Sequence, residues 1–132
     1  MRTLQPPGWP RPRGYANGIA ASGTMVFVAG QIGWTAEGQF ESEDLVVQVE
    51  QALRNVVAVL RTGGAGPEHL TRMTWYVVDR GEYRRRAQEI GAAYRSVIGA
   101  IYPAMSLIEV KGLLEDRAMV EIECTAVVPD PG

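Results

Sequence analysis

Two amphipathic stretches, separated by short apolar segments, constrain the fold of this chain more than any other feature. Apolar residues recur at helical spacing in both: Leu45, Val49, Leu53, Val56 and Leu60 in the first, and Tyr83, Ala87, Ile90, Tyr94 and Val97 in the second. Ser42 is a good N-cap for the first helix, and Asp79 followed by Glu82 resembles a capping box for the second. The sequence therefore predicts two helices that each bury one face.

The remaining apolar segments predict five strands. They lie at 19–22, 25–32, 70–78, 104–110 and 118–128. The order β-β-α-β-α-β-β predicts an α+β fold, a mixed sheet with both helices packed on one face. We expect a single domain over residues 1–132, in which the proline-rich residues 1–13 form an extended arm.

The last two predicted strands carry the side chains that are the best candidates for a role in catalysis or binding. We expect 104–110 to pair with 118–128. Alternation along the strands would then place these side chains on one face: Met105, Leu107, Glu109, Glu121 and Glu123. A carboxyl group beside apolar side chains can act as a general acid or base. For an isolated strand, the favoured interpretation is that such glutamates simply face water.

Composition excludes several classes of protein. A formal net charge of −2 provides no general attraction to nucleic acid or anionic lipid. One cysteine and one histidine cannot form a structural zinc site within one chain. The first thirteen residues lack the apolar run of a signal peptide, and no segment has transmembrane length. We therefore expect a cytoplasmic protein without metal or cofactor that binds neither nucleic acid nor membrane.

Five short tracts, in order along nearly the whole chain, carry a family resemblance. They are Gly14-Tyr15 with Gly18-Ile19, Ala29-Gly30-Gln31-Ile32, the pattern Gln48-x-x-Gln51-x-Leu53-x-Asn55, Pro103-Ala104-Met105-Ser106, and Val120-Glu121-Ile122-Glu123. In this combination the chain resembles the Rid family of reactive-intermediate deaminases, also called YjgF-like or L-PSP proteins. The resemblance implies a homotrimer whose sheets face one another, with one small-molecule site in each inter-subunit cleft.

The resemblance also implies roles for particular residues. Glu121 matches the acidic residue that positions or activates water, and Tyr15 matches a tyrosine that reaches the cleft. Gly30 and Gln31 match a tract whose backbone faces the ligand, while Asn17 stands where many members carry glutamine. Tyr15 can equally anchor a loop, and Gly30 can equally mark a β-bulge.

Met105 departs from the family pattern, which has arginine at this position to hold the substrate's carboxylate. Methionine offers only a flexible apolar surface, so small amino-acid-derived imines should bind more weakly, by several kcal/mol. Leu107 makes the expected pocket more apolar still. The motif contains no evident substitute cation; Lys111 and Arg13 are candidates that the sequence does not place.

Two functions follow. The first is a Rid-like enzyme acting on an imine, enamine or related reactive molecule that lacks the usual α-carboxylate, by hydrolytic deamination with Glu121 as acid or base. The second is a non-catalytic trimeric ligand-binding or accessory protein that uses the same cleft. The family has also been labelled endoribonuclease, but a net acidic chain without interleaved basic and aromatic residues does not favour that activity.

Overall fold

The computed structural model describes residues 1–131 and has the predicted architecture. In chain order the elements are β1 (Arg2–Leu4), β2 (Gly18–Ala20), β3 (Thr24–Ile32), α1 (Leu45–Thr62), a 3₁₀ turn (Pro67–His69), β4 (Leu70–Val77), α2 (Arg80–Arg85), α3 (Ala87–Val97), β5 (Ala104–Glu109) and β6 (Val120–Val128). The α+β class and the mixed sheet are confirmed. The additional strand β1 lies in the proline-rich arm and pairs antiparallel with β2.

The main sheet has the strand order β3-β6-β4-β5. Strand β4 pairs parallel with β5, and β6 pairs antiparallel with both β3 and β4. The predicted pairing of the last two strands is therefore wrong. Helical crossovers such as α2 and α3 place the strands that they connect side by side and parallel, so β5 takes the position next to β4. The loop of residues 110–119 then carries the chain past β4.

This strand order changes which side chains share a face. On β5, Met105 lies opposite Met73 and Leu107 lies opposite Trp75, all on the face that the helices cover. Glu121 of β6 lies opposite Tyr76, on the other face, which we call the open face. The prediction that Met105 and Leu107 lie beside Glu121 is therefore wrong, because aligned residues of neighbouring strands point to the same side of a sheet.

Helix α1 provides most of the core on the covered face. Val49, Leu53 and Val56 are fully buried against the sheet, and Ile122 of β6 is fully buried beneath them. The helix begins later than predicted: Asp44, not Ser42, is the N-cap and accepts the Val47 N–H at 3.1 Å. No helix in residues 1–131 is long and apolar enough to cross a membrane.

The second predicted helix is divided into α2 and α3 at Arg86. Asp79 caps α2 by accepting the Glu82 N–H at 3.0 Å, as the sequence predicts. At the break, the Arg86 guanidinium donates to Asp44 at 2.6 Å and to Glu89 at 2.9 Å. Arg86 therefore joins the start of α1 to the second helical segment, whereas its neighbours Arg84 and Arg85 are exposed.

Two side-chain amides of α1, Gln48 and Asn55, have structural roles. The Gln48 side chain is almost fully buried; it donates to the carbonyls of Ser42 and Arg117 at 3.0 Å and accepts the Met119 N–H at 2.8 Å. Asn55 donates to the carbonyl of Ile32 at 3.0 Å. These amides fix the end of β3 and the loop that leads into β6, and so position the strand that carries Glu121.

Candidate functional site

A cavity of about 250 Å³ lies on the covered side, between the α2–α3 segment and the edge strand β5. We call it the aromatic pocket. It is lined by Gly14, Trp75, Tyr83, Ala87, Ile90, Gly91, Tyr94, Arg95, Tyr102 and Met105. Four of these side chains are aromatic, none is acidic, and the one cation among them is Arg95. Met105 therefore lies in a concave site, as a ligand-binding role requires.

Hydrogen bonding brings two distant tracts together at this pocket. The Ala16 N–H donates to the Pro103 carbonyl at 2.9 Å, and Ala16 forms a parallel bridge with Ala104. This contact places Gly14 in the wall of the aromatic pocket beside Met105. Tyr15, which is partly exposed, lines an adjoining cavity of about 510 Å³ that shares Tyr102 with the pocket.

The walls of the aromatic pocket are held by ring contacts. Tyr94 stacks on Tyr102 with ring centroids 5.8 Å apart and an interplanar angle of 14°, and its hydroxyl donates to the Ile101 carbonyl. Trp75 meets Tyr83 edge-to-face at 6.3 Å. Burial raises the pKa of the Tyr83 and Tyr94 phenols, so both remain neutral at physiological pH.

Leu107 lies further along β5, in the lining of a neighbouring cavity of about 400 Å³. Two exposed arginines, Arg80 and Arg84, line the same cavity. Glu109 at its edge accepts the Arg80 backbone N–H at 2.9 Å and so supports the start of α2. Met105 and Leu107 thus contribute apolar surface to two adjoining cavities along one edge strand.

Glu121 lies on the open face, packed against Gly30. A Cβ atom at position 30 would lie 2.3 Å from Glu121 Oε2, which is closer than real atoms approach. The register of β3 against β6 also shifts between Val28 and Gln31, so Gly30 sits at a bulge. The β-bulge expected as the alternative for Gly30 is thus present, and the group packed against Gly30 is the chain's own Glu121. The Gln31 amide donates to the Ala29 carbonyl at 3.1 Å.

A second acidic group on the open face is engaged by a tyrosine. The Tyr76 hydroxyl donates to Glu123 Oε1 at 2.7 Å. This hydrogen bond is the largest cause of a raised pKa of Tyr76, and burial is the second. Glu123 and its neighbours line a broad cavity of about 500 Å³ that includes Phe27 and Arg72. The sequence places Glu123 beside Glu121, but only the position of β4 next to β6 reveals its tyrosine partner.

The N-terminal arm folds back near the start of β2. Asn17 donates to Gln5 Oε1 at 2.9 Å, and Gln5 donates to the carbonyls of Trp9 and Pro10 at 3.1 and 3.2 Å. The Asn17 side chain is therefore engaged in holding the arm, while Tyr15 two residues earlier lines a cavity. Within residues 1–131, no group of three or more His, Cys, Asp or Glu side chains is arranged to hold a metal ion.

The predicted site residues thus form two separate groups. Met105 and Leu107 lie on the covered side of the sheet, and Glu121 with Gly30 lies on the open side. One chain cannot bring the two groups into a single site, because the sheet separates them. The open face also exposes large apolar side chains: Met25 is 55%, Phe27 70% and Ile108 45% exposed.

A four-stranded mixed sheet, two main helices on one face and a cavity at the edge strand define a YjgF-like protein. The family model described as Endoribonuclease L-PSP matches residues 10–128. A RutC family protein of Synechocystis is 34% identical across 98% of both chains. The 2-iminobutanoate/2-iminopropanoate deaminase of Salmonella typhimurium is 30% identical across 86% of both.

Solved structures agree with the sequence comparisons. A Rid-family protein of unknown function from Yersinia pestis superimposes with a TM-score of 0.85 at 31% identity, covering 96% of this chain and 98% of its own. The chain therefore belongs to the L-PSP family, also called the Rid or YjgF family.

Proposed function

We propose that this chain forms a homotrimeric Rid-like enzyme that hydrolyses an imine or enamine lacking the usual α-carboxylate. The observation that carries the proposal is Met105, an uncharged side chain in the aromatic pocket at the position where the family arginine binds a carboxylate. An apolar wall there favours substrates without an acid group on the reacting carbon. Family membership and the deaminase relative support the reaction class.

The trimer is supported by the separation of the two residue groups. A site that uses both Met105 and Glu121 needs one residue from each of two copies, and the exposed Phe27 and Met25 provide apolar surface for such contact. Burial of that surface is the dominant favourable term in most protein association. In this arrangement Tyr15 and the backbone near Gly30 and Gln31 orient the substrate, and Asn17 stays near the rim.

Glu121 has the role of acid and base in this proposal. The carboxylate accepts a proton from water as the water oxygen forms a bond to the imine carbon. The proton then passes to the nitrogen and gives a carbinolamine. Glu121 next moves the carbinolamine's hydroxyl proton to the same nitrogen as the carbon–nitrogen bond breaks, so ammonia leaves and the carbonyl product remains. Met105 and Leu107 exclude bulk water from one side of the reacting carbon. This step needs no oxidant, metal or cofactor.

Hydrolysis of imines generated in situ tests this function. Suitable oxidases supply one imine from an amino acid and one from a carboxylate-free amine, and the purified protein is added to each. We expect turnover of the carboxylate-free imine by wild type, loss of at least about 100-fold in Glu121→Gln, and gain of activity on the amino-acid imine in Met105→Arg. Strong wild-type activity on 2-iminopropanoate would contradict the proposed substrate class.

The second candidate is a trimeric ligand-binding or accessory protein without catalysis. The same Met105 favours it, because loss of the carboxylate-binding arginine removes the contact that the family's deamination uses. Saturable binding of one small ligand per subunit, without turnover of any imine, would support this alternative. Under either function, a cytoplasmic location stays a prediction.

A further inference from the structure

The aromatic pocket contains an unpaired cation that the sequence motif did not reveal. Arg95 of α3 lines the pocket together with Met105, and its guanidinium extends back over Gly91, where a Cβ would lie 3.2 Å from Nη1. In the described part of the chain, residues 1–131, Arg95 takes part in none of the ion pairs or side-chain hydrogen bonds. An arginine guanidinium stays cationic throughout the physiological pH range.

The Trp75 indole lines the same pocket but keeps its N–H buried. Trp75 is 2% exposed and lines the pocket, yet its Nε1–H forms no hydrogen bond within residues 1–131. Because this N–H is itself sealed from solvent, a molecule in the pocket meets the carbon surface of the indole and not its donor. The Trp75 ring thus offers a ligand apolar aromatic surface.

The side chains that line the aromatic pocket restrict which molecules it can bind. Trp75, Tyr83, Tyr94 and Tyr102 provide aromatic surface, and Met105 provides a soft apolar contact. A cavity of about 250 Å³ accepts only a small molecule. Because no acidic side chain lines the cavity, the Arg95 charge is not neutralised there and favours an anion.

We propose that the pocket binds a small aromatic carboxylate, whose ring lies between the aromatic walls and whose carboxylate pairs with Arg95. The cation of this site thus comes from α3 instead of β5. The proposal deepens the proposed function, on which its catalytic part rests: the substrate's acid group is separated from the imine carbon by an apolar body. Binding itself does not depend on catalysis.

Calorimetric titration of the full-length protein with phenylacetate, phenylacetamide and acetate tests the proposal. We expect phenylacetate to bind at one site per chain, at least about tenfold more tightly than either the neutral amide or acetate. Arg95→Gln should weaken phenylacetate binding by about tenfold or more, with little change for the amide. Arg95→Lys should restore part of the affinity, and Arg61→Gln, on the exposed end of α1, should leave it unchanged.

Two results would overturn the proposal. One is equal affinity for phenylacetate and phenylacetamide; the other is an Arg95→Gln variant that keeps its thermal unfolding midpoint and wild-type phenylacetate binding. The Trp75 indole N–H signal in a ¹H–¹⁵N spectrum provides a readout that requires no mutation of the pocket. It should shift on saturation with phenylacetate, and an unmoved signal contradicts the ring placement.

Comparison of phenylacetate binding with imine turnover, in wild type and in Arg95→Gln, separates the two proposals. If turnover is absent in wild type but the Arg95-dependent binding persists, the proposed reaction fails and the ligand site stands. If turnover is present and unaffected by Arg95→Gln, the ligand site fails and the reaction stands.

Discussion

Met105 and Glu121 lie on opposite faces of one sheet, although the resemblance to the family assigns both to one site. Met105 is on the edge strand β5, under the helices, and Glu121 is on the open face of β6, beside Gly30. A shared site therefore requires a second copy of the chain. This relationship makes assembly a condition of the proposed activity.

The first prediction concerns that assembly. Phe27→Asp places a charge in the exposed apolar part of the open face, where the wild-type ring is 70% exposed, so the fold of the single chain should tolerate it. We expect the variant to be monomeric by light scattering and inactive. Leu114→Asp changes a residue that is 95% exposed in the loop before β6 and should leave the mass unchanged. A trimeric Phe27→Asp variant would exclude the open face as the interface.

The second prediction concerns the contact between Gly30 and Glu121. In Gly30→Ala, the new methyl group must displace the Glu121 carboxylate or move β3, and we expect a loss of about 1–3 kcal/mol in the free energy of unfolding. Chemical denaturation measures this change. Gly112→Ala is the matched control, since an added Cβ there meets nothing within 4 Å and its φ is not in the left-handed region. Equal stability of the two variants would mean that Glu121 has room to move aside.

The third prediction concerns the buried amide of Gln48. Gln48→Leu leaves the Met119 N–H and the carbonyls of Ser42 and Arg117 without their partner, so stability should fall by about 2–4 kcal/mol. Gln88→Leu on the exposed face of α3 should change it by less than about 0.5 kcal/mol. Urea unfolding of both variants provides the comparison, and a neutral Gln48→Leu would show that these groups find other partners.

The fourth prediction concerns pH. The hydrogen bond from Arg86 holds the pKa of Asp44 below its ordinary value of 3.8. A depressed carboxyl pKa contributes stability that is present above the unfolded-state pKa and is lost as the pH falls through the folded-state pKa. The stability difference between wild type and Arg86→Met should therefore shrink between about pH 5 and pH 2. Arg85→Met, at an exposed position, should not show this dependence.

The fifth prediction concerns Cys124, the single cysteine. Burial on the covered face raises the pKa of its thiol to about 12, so the reactive thiolate is scarce at neutral pH. We expect no reaction of the folded protein with a thiol-specific disulfide reagent at pH 8 over an hour, and one equivalent of reaction after unfolding in guanidinium. Rapid labelling of the folded chain would show that β6 opens locally.

Local patterns in the sequence were sufficient for the elements and for much of the core. The helical spacing of Leu45, Val49 and Leu53 correctly identifies a buried face, because this period depends only on backbone geometry. The exact first residue of α1 was less predictable, because Ser42 and Asp44 are both good N-caps. Asp44 caps the helix in the structure and also accepts a hydrogen bond from Arg86, which lies between α2 and α3.

The sequence by itself determined the fold class, the family and the absence of arginine at position 105. Only the tertiary structure decided the strand order, and with it the separation of Met105 from Glu121. Alternation predicts which residues of one strand share a face, but the relation between two strands depends on the sheet as a whole. The same reason applies to Arg95 and Trp75, which are twenty residues apart and meet in one pocket only because α3 packs beside β4 and β5.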